Sequence, residues 1–169
     1  YRKTLPSGTA IEVFGSRDFV ETRNALDQGV HFNFAGVSAD VPVRQQVTLV
    51  GMLGYQDFSN DNQRRHARAR VIYQPVPDLG LTLQLRYRYF DNSQQNVQSA
   101  YFNPERYQEG MLALGLRQRL GDWRTALTAG IGRQQITNDP RSSTRLFEGS
   151  AEKLADRYAF RLRAGYTHS

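Results

Sequence analysis

The chain has no cysteine. Disulfides and thiolate metal sites are therefore excluded, and the redox compartment stays open. Lysine is nearly absent: of 22 basic residues only Lys3 and Lys153 are not arginine. The three histidines, His31, His66 and His168, lie far apart with no metal-binding or catalytic spacing. No apolar run approaches the roughly 18 residues a membrane helix needs, and mean hydropathy is -0.62. A Gly-x-Ser-x-Gly elbow, a His-Glu-x-x-His pair and a P-loop are all missing, which removes the enzyme classes that depend on them. The expectation is a protein that is not an enzyme and takes no cofactor and no metal.

What the chain does have is alternation. Leu81, Leu83, Leu85, Tyr87 and Tyr89 take every second position, with Thr82, Gln84, Arg86 and Arg88 between them. A strand sends successive side chains to opposite faces, so this segment carries one apolar and one cationic face. Similar segments recur, while only 39% of the 169 residues are hydrophobic. That is too little material to cover so many apolar faces from within. The pattern suits a barrel with lipid outside and water inside, which escapes hydropathy tests because only alternate residues meet lipid. The expected fold class is all-β, an antiparallel up-and-down transmembrane β-barrel or a fragment of one.

Nine strand-like segments are predicted, over residues 9–21, 29–43, 46–58, 65–74, 81–90, 107–120, 123–136, 144–151 (the weakest) and 158–167. Connections alternate between short turns at 43–45, 75–80 and 121–122 and longer polar loops at 22–28, 59–64, 92–106 and 137–143. Short turns at one end and long loops at the other mark outer-membrane barrels, although a plain meander with uneven loops is the competing explanation. Single-chain bacterial barrels normally have an even strand count. The expectation is a single β-barrel domain over 1–169 that belongs to a longer chain, since neither a signal peptide nor an initiator methionine stands at Tyr1.

Faces separate cleanly in the second half. Leu112, Leu114 and Leu116 oppose Ala113, Gly115, Arg117 and Arg119; Leu127, Ala129 and Ile131 oppose Ala126, Thr128 and Gly130. In the second segment the phase breaks, because Phe32 and Phe34 alternate out of step with Val37, Ala39 and Val41. A bulge near Ala35-Gly36 would reconcile them. Tyr73, Tyr89, Phe90, Tyr107, Trp123, Tyr158 and Tyr166 fall near strand ends and are candidates for interfacial girdles, with strand propensity alone as the alternative.

Two constellations carry chemistry. The first is an arginine ladder on the polar phase: Arg68, Arg70, Arg86, Arg88, Arg117, Arg119, Arg124, Arg161 and Arg163. Guanidinium stays charged and offers a planar fork to carboxylate, phosphate or sulfate. Such a column would line a lumen and favour anionic solutes. Alternatively it forms a structural network with Glu12, Asp18, Asp40, Glu109 and Glu148. The second constellation is the loop running from Ser99 through Tyr101, Phe102, Asn103, Pro104, Glu105, Arg106 and Tyr107. Its aromatics suit stacking on sugar rings, its polar groups suit hydrogen bonding, and Pro104 stiffens the turn. The alternative is a loop that folds its aromatics onto its own barrel.

The run Tyr101-Phe102-Asn103-Pro104, followed by Tyr107-Gln108-Glu109 opening an alternating strand, resembles the C-terminal outer-membrane barrels of tetratricopeptide-repeat exopolysaccharide export porins, the cellulose and poly-N-acetylglucosamine exporter type. Gly15-Ser16-Arg17-Asp18 is similar in a weaker way. The resemblance implies polysaccharide passage through the lumen, residence in a bacterial outer membrane, and partnership with a periplasmic helical-repeat region or export machinery.

Other readings are poorer. Ser16, His31 and Asp18 would have to meet across a hairpin to form a Ser/His/Asp set, and His66 reads as a strand-end surface residue. Asp57 and Asp61 are too isolated for calcium. The +6 charge is dispersed over one face of many strands, unlike a nucleic-acid site. The partners expected are membrane lipid and polysaccharide, with an anionic glycan favoured by the arginines, and no nucleic acid. A closed structural or adhesive barrel without transport is the second hypothesis.

Overall fold

The structure is a computed structural model that describes residues 1–94, 100–155 and 158–168. Ten strands form one antiparallel sheet in sequence order. They are β1 (Arg2–Thr4), β2 (Ala10–Phe19), β3 (His31–Arg44), β4 (Val47–Phe58), β5 (Gln63–Tyr73), β6 (Leu81–Asn92), β7 (Arg106–Leu120), β8 (Trp123–Ile136), β9 (Ser142–Ala155) and β10 (Tyr158–His168). A five-residue helix, α1 (Arg23–Asp27), interrupts the β2–β3 loop. Every strand pairs with its sequence neighbour, the up-and-down topology read from the alternation. Among the described residues β1 and β10 are the two edges.

Two strands differ from the sequence reading. β1 is additional, a three-residue strand whose register runs Arg2 to Glu12 and Thr4 to Ala10. It is too short to show periodicity. β9 is a full strand of 14 residues. Its alternation is weak because Gly149 and Ser150 interrupt it, and the ladders to β8 and β10 hold it in register.

The register fixes the faces. Even-numbered residues of β2 to β6 (in β3 as far as Pro42), odd-numbered residues of β7, even-numbered residues of β8 and β9 and odd-numbered residues of β10 share one face. One concavity of about 660 Å³ is walled on this face by side chains from β2 (Phe14) to β10 (Thr167), so the sheet curls around it. The convex face carries the alternating apolar set. Leu85 is 58% exposed and Leu114 52%, and Leu49, Leu53, Leu83, Leu112, Leu127 and Leu162 are exposed as well. Contiguous apolar surface of this extent marks an interaction face.

Turn chemistry separates the two ends. Leu120 pairs with Trp123 across Gly121-Asp122, and Gly121 takes φ 61°, as a tight hairpin with glycine first requires. Between β5 and β6 a 3-10 turn (Pro77–Leu79) ends at Gly80 with φ 62°, and the Gly80 carbonyl accepts from Arg117 N at 3.0 Å. Pro42 lies beyond the last β2–β3 pair, Ala10 with Asp40, so its missing N–H costs no ladder bond there. The opposite end carries the long connections.

No bulge occurs at Ala35-Gly36; β3 pairs without interruption from Phe32 to Pro42, and its one register shift lies between Pro42 and Arg44. Phe32 and Phe34 instead point into the concave face, where partners receive them. Phe34 stacks on Phe14 at 5.7 Å and meets the edge of His66 at 5.6 Å; Phe32 packs on Phe58 at 5.9 Å. The phase conflict is thus an inward aromatic set among polar residues.

Candidate functional site

All nine arginines of the ladder fall on the concave face. β5 places Arg68 and Arg70 opposite Arg88 and Arg86 of β6. Arg119 of β7 faces Arg124 of β8, and Arg124 and Arg161 both lie opposite Glu152 of β9. Arg117 and Arg163 share a second concavity, of about 470 Å³, with Arg70, Arg86 and Glu148. Like charges directly opposite on adjacent strands repel, so these pairs are held by the ladder rather than by their side chains.

The expected carboxylate network is sparse. Among the described residues, Arg161 with Glu152 is the ion pair within 4.0 Å that involves one of the nine, and Glu152 was not among the partners anticipated. Arg161 Nε donates to Glu152 Oε1 at 3.0 Å. Arg86 Nε donates to Gln84 Oε1 at 3.0 Å and Arg119 Nε to the Gly121 carbonyl at 3.2 Å. Arg88 lies 5.6 Å from the ring centres of both Phe90 and Tyr107. Asp40 pairs with Arg2 instead, at 3.7 Å.

Toward the loop end an aromatic belt crosses the concave face. Phe14, Phe34, His66, Phe90 and Tyr107 follow one another at ring-centre separations of 5.7, 5.6, 5.9 and 4.9 Å. Tyr107 extends the belt to β8 by donating to Gln134 Oε1 at 3.0 Å. The belt passes over β4 at Gly54, where a side chain would collide with the Phe34 ring. Phe90 and Tyr107 are therefore buried inward residues, Phe90 only 2% exposed, and do not belong to an outer girdle. Tyr73, Tyr89, Trp123 and Tyr166 do sit on the convex phase; the Tyr158 side chain lies outside the described residues. His66 is half-buried in the belt, 3.0 Å from Gln56 Oε1, rather than on the surface.

Above the belt the loops fold inward. Ala25, Val30, Phe58 and Ala100 form a small core joined by Val20, Phe32 and Tyr101. Tyr101 stacks on Phe58 at 4.8 Å with ring planes 12° apart, and its hydroxyl donates to Asn60 Oδ1 at 3.2 Å. The Thr22 hydroxyl donates to the Ala100 carbonyl. Asn62, which is fully buried, donates to Tyr101 Oη at 3.1 Å and Asn103 Oδ1 at 2.9 Å, and accepts from Gln94 N at 3.1 Å. Arg64 donates to Asn92 Oδ1 and to the Phe102 carbonyl, each at 2.7 Å, and lies 4.7 Å from the Phe90 ring centre.

The loop residues singled out from sequence thus divide. Tyr101, Asn103 and Tyr107 are engaged with the chain's own wall. Phe102 remains 57% exposed, edge-on to Phe90 and Tyr107. Glu105 and Arg106 are exposed, and their carbonyls accept from Asn92 N and Thr137 N. Ser99 lies outside the described residues. A cleft of about 650 Å³ remains beside this cap, lined by Phe102, Tyr107, Arg64, Arg88, Asp18 and Glu21 among others.

Asn62, Arg64 and Asn92 were missed from sequence. Arg64 continues the even phase of His66, Arg68 and Arg70, so extending the predicted 65–74 segment by one residue would have found it. Nothing local marks Asn62 or Asn92, because Asn62 is engaged by a loop some 40 residues on and Asn92 by Pro104 of the same loop and by Asn62 and Arg64 of the neighbouring strand. The Ser/His/Asp set is not assembled: Ser16 and Asp18 face the concave side, while His31 pairs with Phe19 on the convex phase, 3.0 Å from Arg17 Nη2. No cluster of metal ligands occurs among the described residues.

No family model and no curated protein matches the chain. Among solved structures it is similar to one described as a bacterial polysaccharide outer membrane secretin, with a TM-score of 0.77 at 16% sequence identity. The match covers 98% of this chain and 58% of the other, so the chain spans little more than half that structure's length. At that identity the shared property is the fold, a curled wall of antiparallel strands.

Proposed function

We propose that this chain is the wall of an outer-membrane β-barrel through which an exported polysaccharide passes, with arginines lining the lumen. The observation that carries the reading is the sidedness of the sheet: exposed leucines on the convex face, arginines and aromatics on the concave one. Closed strands satisfy backbone amides where lipid cannot, and the leucine face supplies the matching apolar surface. The described similarity to a polysaccharide secretin supports this substrate class.

The mechanism is passive and uses no catalysis. Aromatic faces at the loop end offer apolar platforms with polar edges, and guanidinium, glutamine and tyrosine groups exchange hydrogen bonds with a hydrated chain. Many weak sites suit transport, because a solute must leave as readily as it enters. The scarcity of ion pairs among the central arginines leaves their charge for a solute and favours an anionic glycan. A periplasmic helical-repeat region or export machinery would deliver the polymer.

Planar-bilayer recording of the full-length protein tests this reading. Conductance with anion preference is expected, and its absence even after deletion of the long loops overturns the passage. The second reading, a closed structural or adhesive barrel, draws on the inward-folded cap; it predicts no conductance with or without the loops.

A further inference from the structure

The convex face holds a second arginine set with a different placement. Arg17 of β2, Arg65 of β5, Arg106 of β7, Arg133 of β8 and Arg145 of β9 all take the convex phase. Each lies within three residues of the loop-side end of its strand. Among the described residues the convex phase of the strands has no arginine in its middle. At the turn end it carries Lys3, Lys153 and a single arginine, Arg44, which the register shift sets opposite Val47; Lys153 is paired with Asp122 at 3.8 Å. A cation in the apolar band is costly and one at its rim is nearly free. That explains the empty middle but not the concentration at one rim.

These rim arginines adjoin exposed apolar surface. Arg133 is two residues from Ile131, which is 68% exposed; Arg145 is two from Phe147 and Arg17 two from Phe19, both exposed. Among the described residues none of the five has a carboxylate oxygen within 4.0 Å, although Asp91 stands in register between Arg65 and Arg106. Beside Arg133 a cleft of about 230 Å³ is lined by Arg141, Gln108, Gln135 and Tyr87, and also by Glu109, Gly110 and Gln134 of β7 and β8. Gln108 Nε2 donates to Gln135 Oε1 at 2.7 Å, and Gln135 Nε2 to the Asp139 carbonyl at 3.3 Å, so these amides are held in place at the cleft.

Guanidinium forks directly above a lipid-matching surface fit an amphiphile whose head carries phosphate and whose tails are acyl chains. We infer that the loop-side rim of the convex face binds a phosphorylated glycolipid of the outer leaflet, with Arg133 and Arg141 forming its phosphate site. Arg65, Arg106 and Arg145 continue the belt around the wall. The inference rests on the membrane part of the proposed function and not on polysaccharide passage.

The full-length protein in phosphatidylcholine vesicles tests it, using fluorescent bis-phosphorylated lipid A as probe. Saturable binding is expected. Arg133→Gln with Arg141→Gln removes both charge-assisted contacts and should weaken it about tenfold or more. Lys3→Gln, at the opposite rim, should leave it unchanged, and dephosphorylated lipid A should bind as weakly as the double variant. Equal binding of the two lipids, or no effect of the double variant, overturns the site. Displacement by inorganic phosphate at millimolar concentration would assign the cleft to free phosphate and overturns the lipid. A protein that fails to float with vesicles removes the membrane reading and this site together, whereas one that floats without discriminating the lipids removes this site alone.

Discussion

The Phe34 ring lies directly over Gly54 of the neighbouring strand: a Cβ built on Gly54 would stand 2.6 Å from Phe34 Cζ. Gly36 holds Phe14 in the same way, at 2.8 Å. Two glycines thus supply the space in which the concave aromatic belt lies flat, and they do so on strands where glycine otherwise weakens pairing. Gly54→Val should expel the Phe34 ring at a cost of about 1–3 kcal/mol, typical of overpacking. Denaturant titration of the folded protein in detergent checks this. Adding Phe34→Ala should recover part of the loss, which pure strand propensity would not produce.

Replacing Arg86 and Arg88 by glutamine relieves repulsion with Arg70 and Arg68, their cross-strand neighbours. The fold should therefore survive, stability changing by less than about 1 kcal/mol. Reversal potentials under a salt gradient should shift toward cations. A large loss of stability with an unchanged reversal potential would favour the structural barrel over the conduit.

Asn62 is fully buried and joins three segments through Tyr101, Asn103 and Gln94. Asn62→Ala leaves the Gln94 amide and the Asn103 side chain short of a partner, at about 1–3 kcal/mol. The loss should be local. Limited proteolysis should cut within 93–105 faster while the strand core stays protected, and single-channel noise should change.

Leu114 is central on β7 and exposed on the convex face. Leu114→Arg should cost about 2–4 kcal/mol of folding free energy in a bilayer if it sits near the midplane. Folding yield into vesicles, read by the mobility shift between unheated and heated samples, measures it. Unchanged yield would mean that this face does not meet lipid.

Gly80 needs both its positive φ and its missing side chain, since a Cβ there would collide with the Arg117 carbonyl. Gly80→Ala should destabilise by about 1–3 kcal/mol from backbone strain alone. Gly29, with φ 66° but open space around it, should suffer less on the same substitution, and parallel thermal denaturation compares the two.

Much of the wall was legible because a strand's faces are a local property. Leu81 to Tyr89 declare their sidedness without any tertiary information, and so do Arg117 and Arg119 against Leu114 and Leu116. The reading failed where a residue's type disagreed with its face. Phe32, Phe34, Phe90 and Tyr107 looked like outward residues, yet the ladder turns them inward, and a register once set by many paired residues overrides the preference of a few. The loop contacts were half legible. Composition marked Tyr101 and Phe102 as sticky, but whether they meet a solute or the wall depends on Phe58 and Asn62, some 40 residues earlier.

From sequence alone came the strand class, the up-and-down order, the long-loop and short-turn ends, and the opposite phases of leucine and arginine. All of these follow from a period of two and from turn residues, which need only neighbours. The curl decided the rest: which arginines face one another, where the aromatic belt closes across β4, how the cap sits, and that five further arginines gather at the loop-side outer rim. Those relationships join residues distant in sequence, and only the pairing of successive strands brings them within reach.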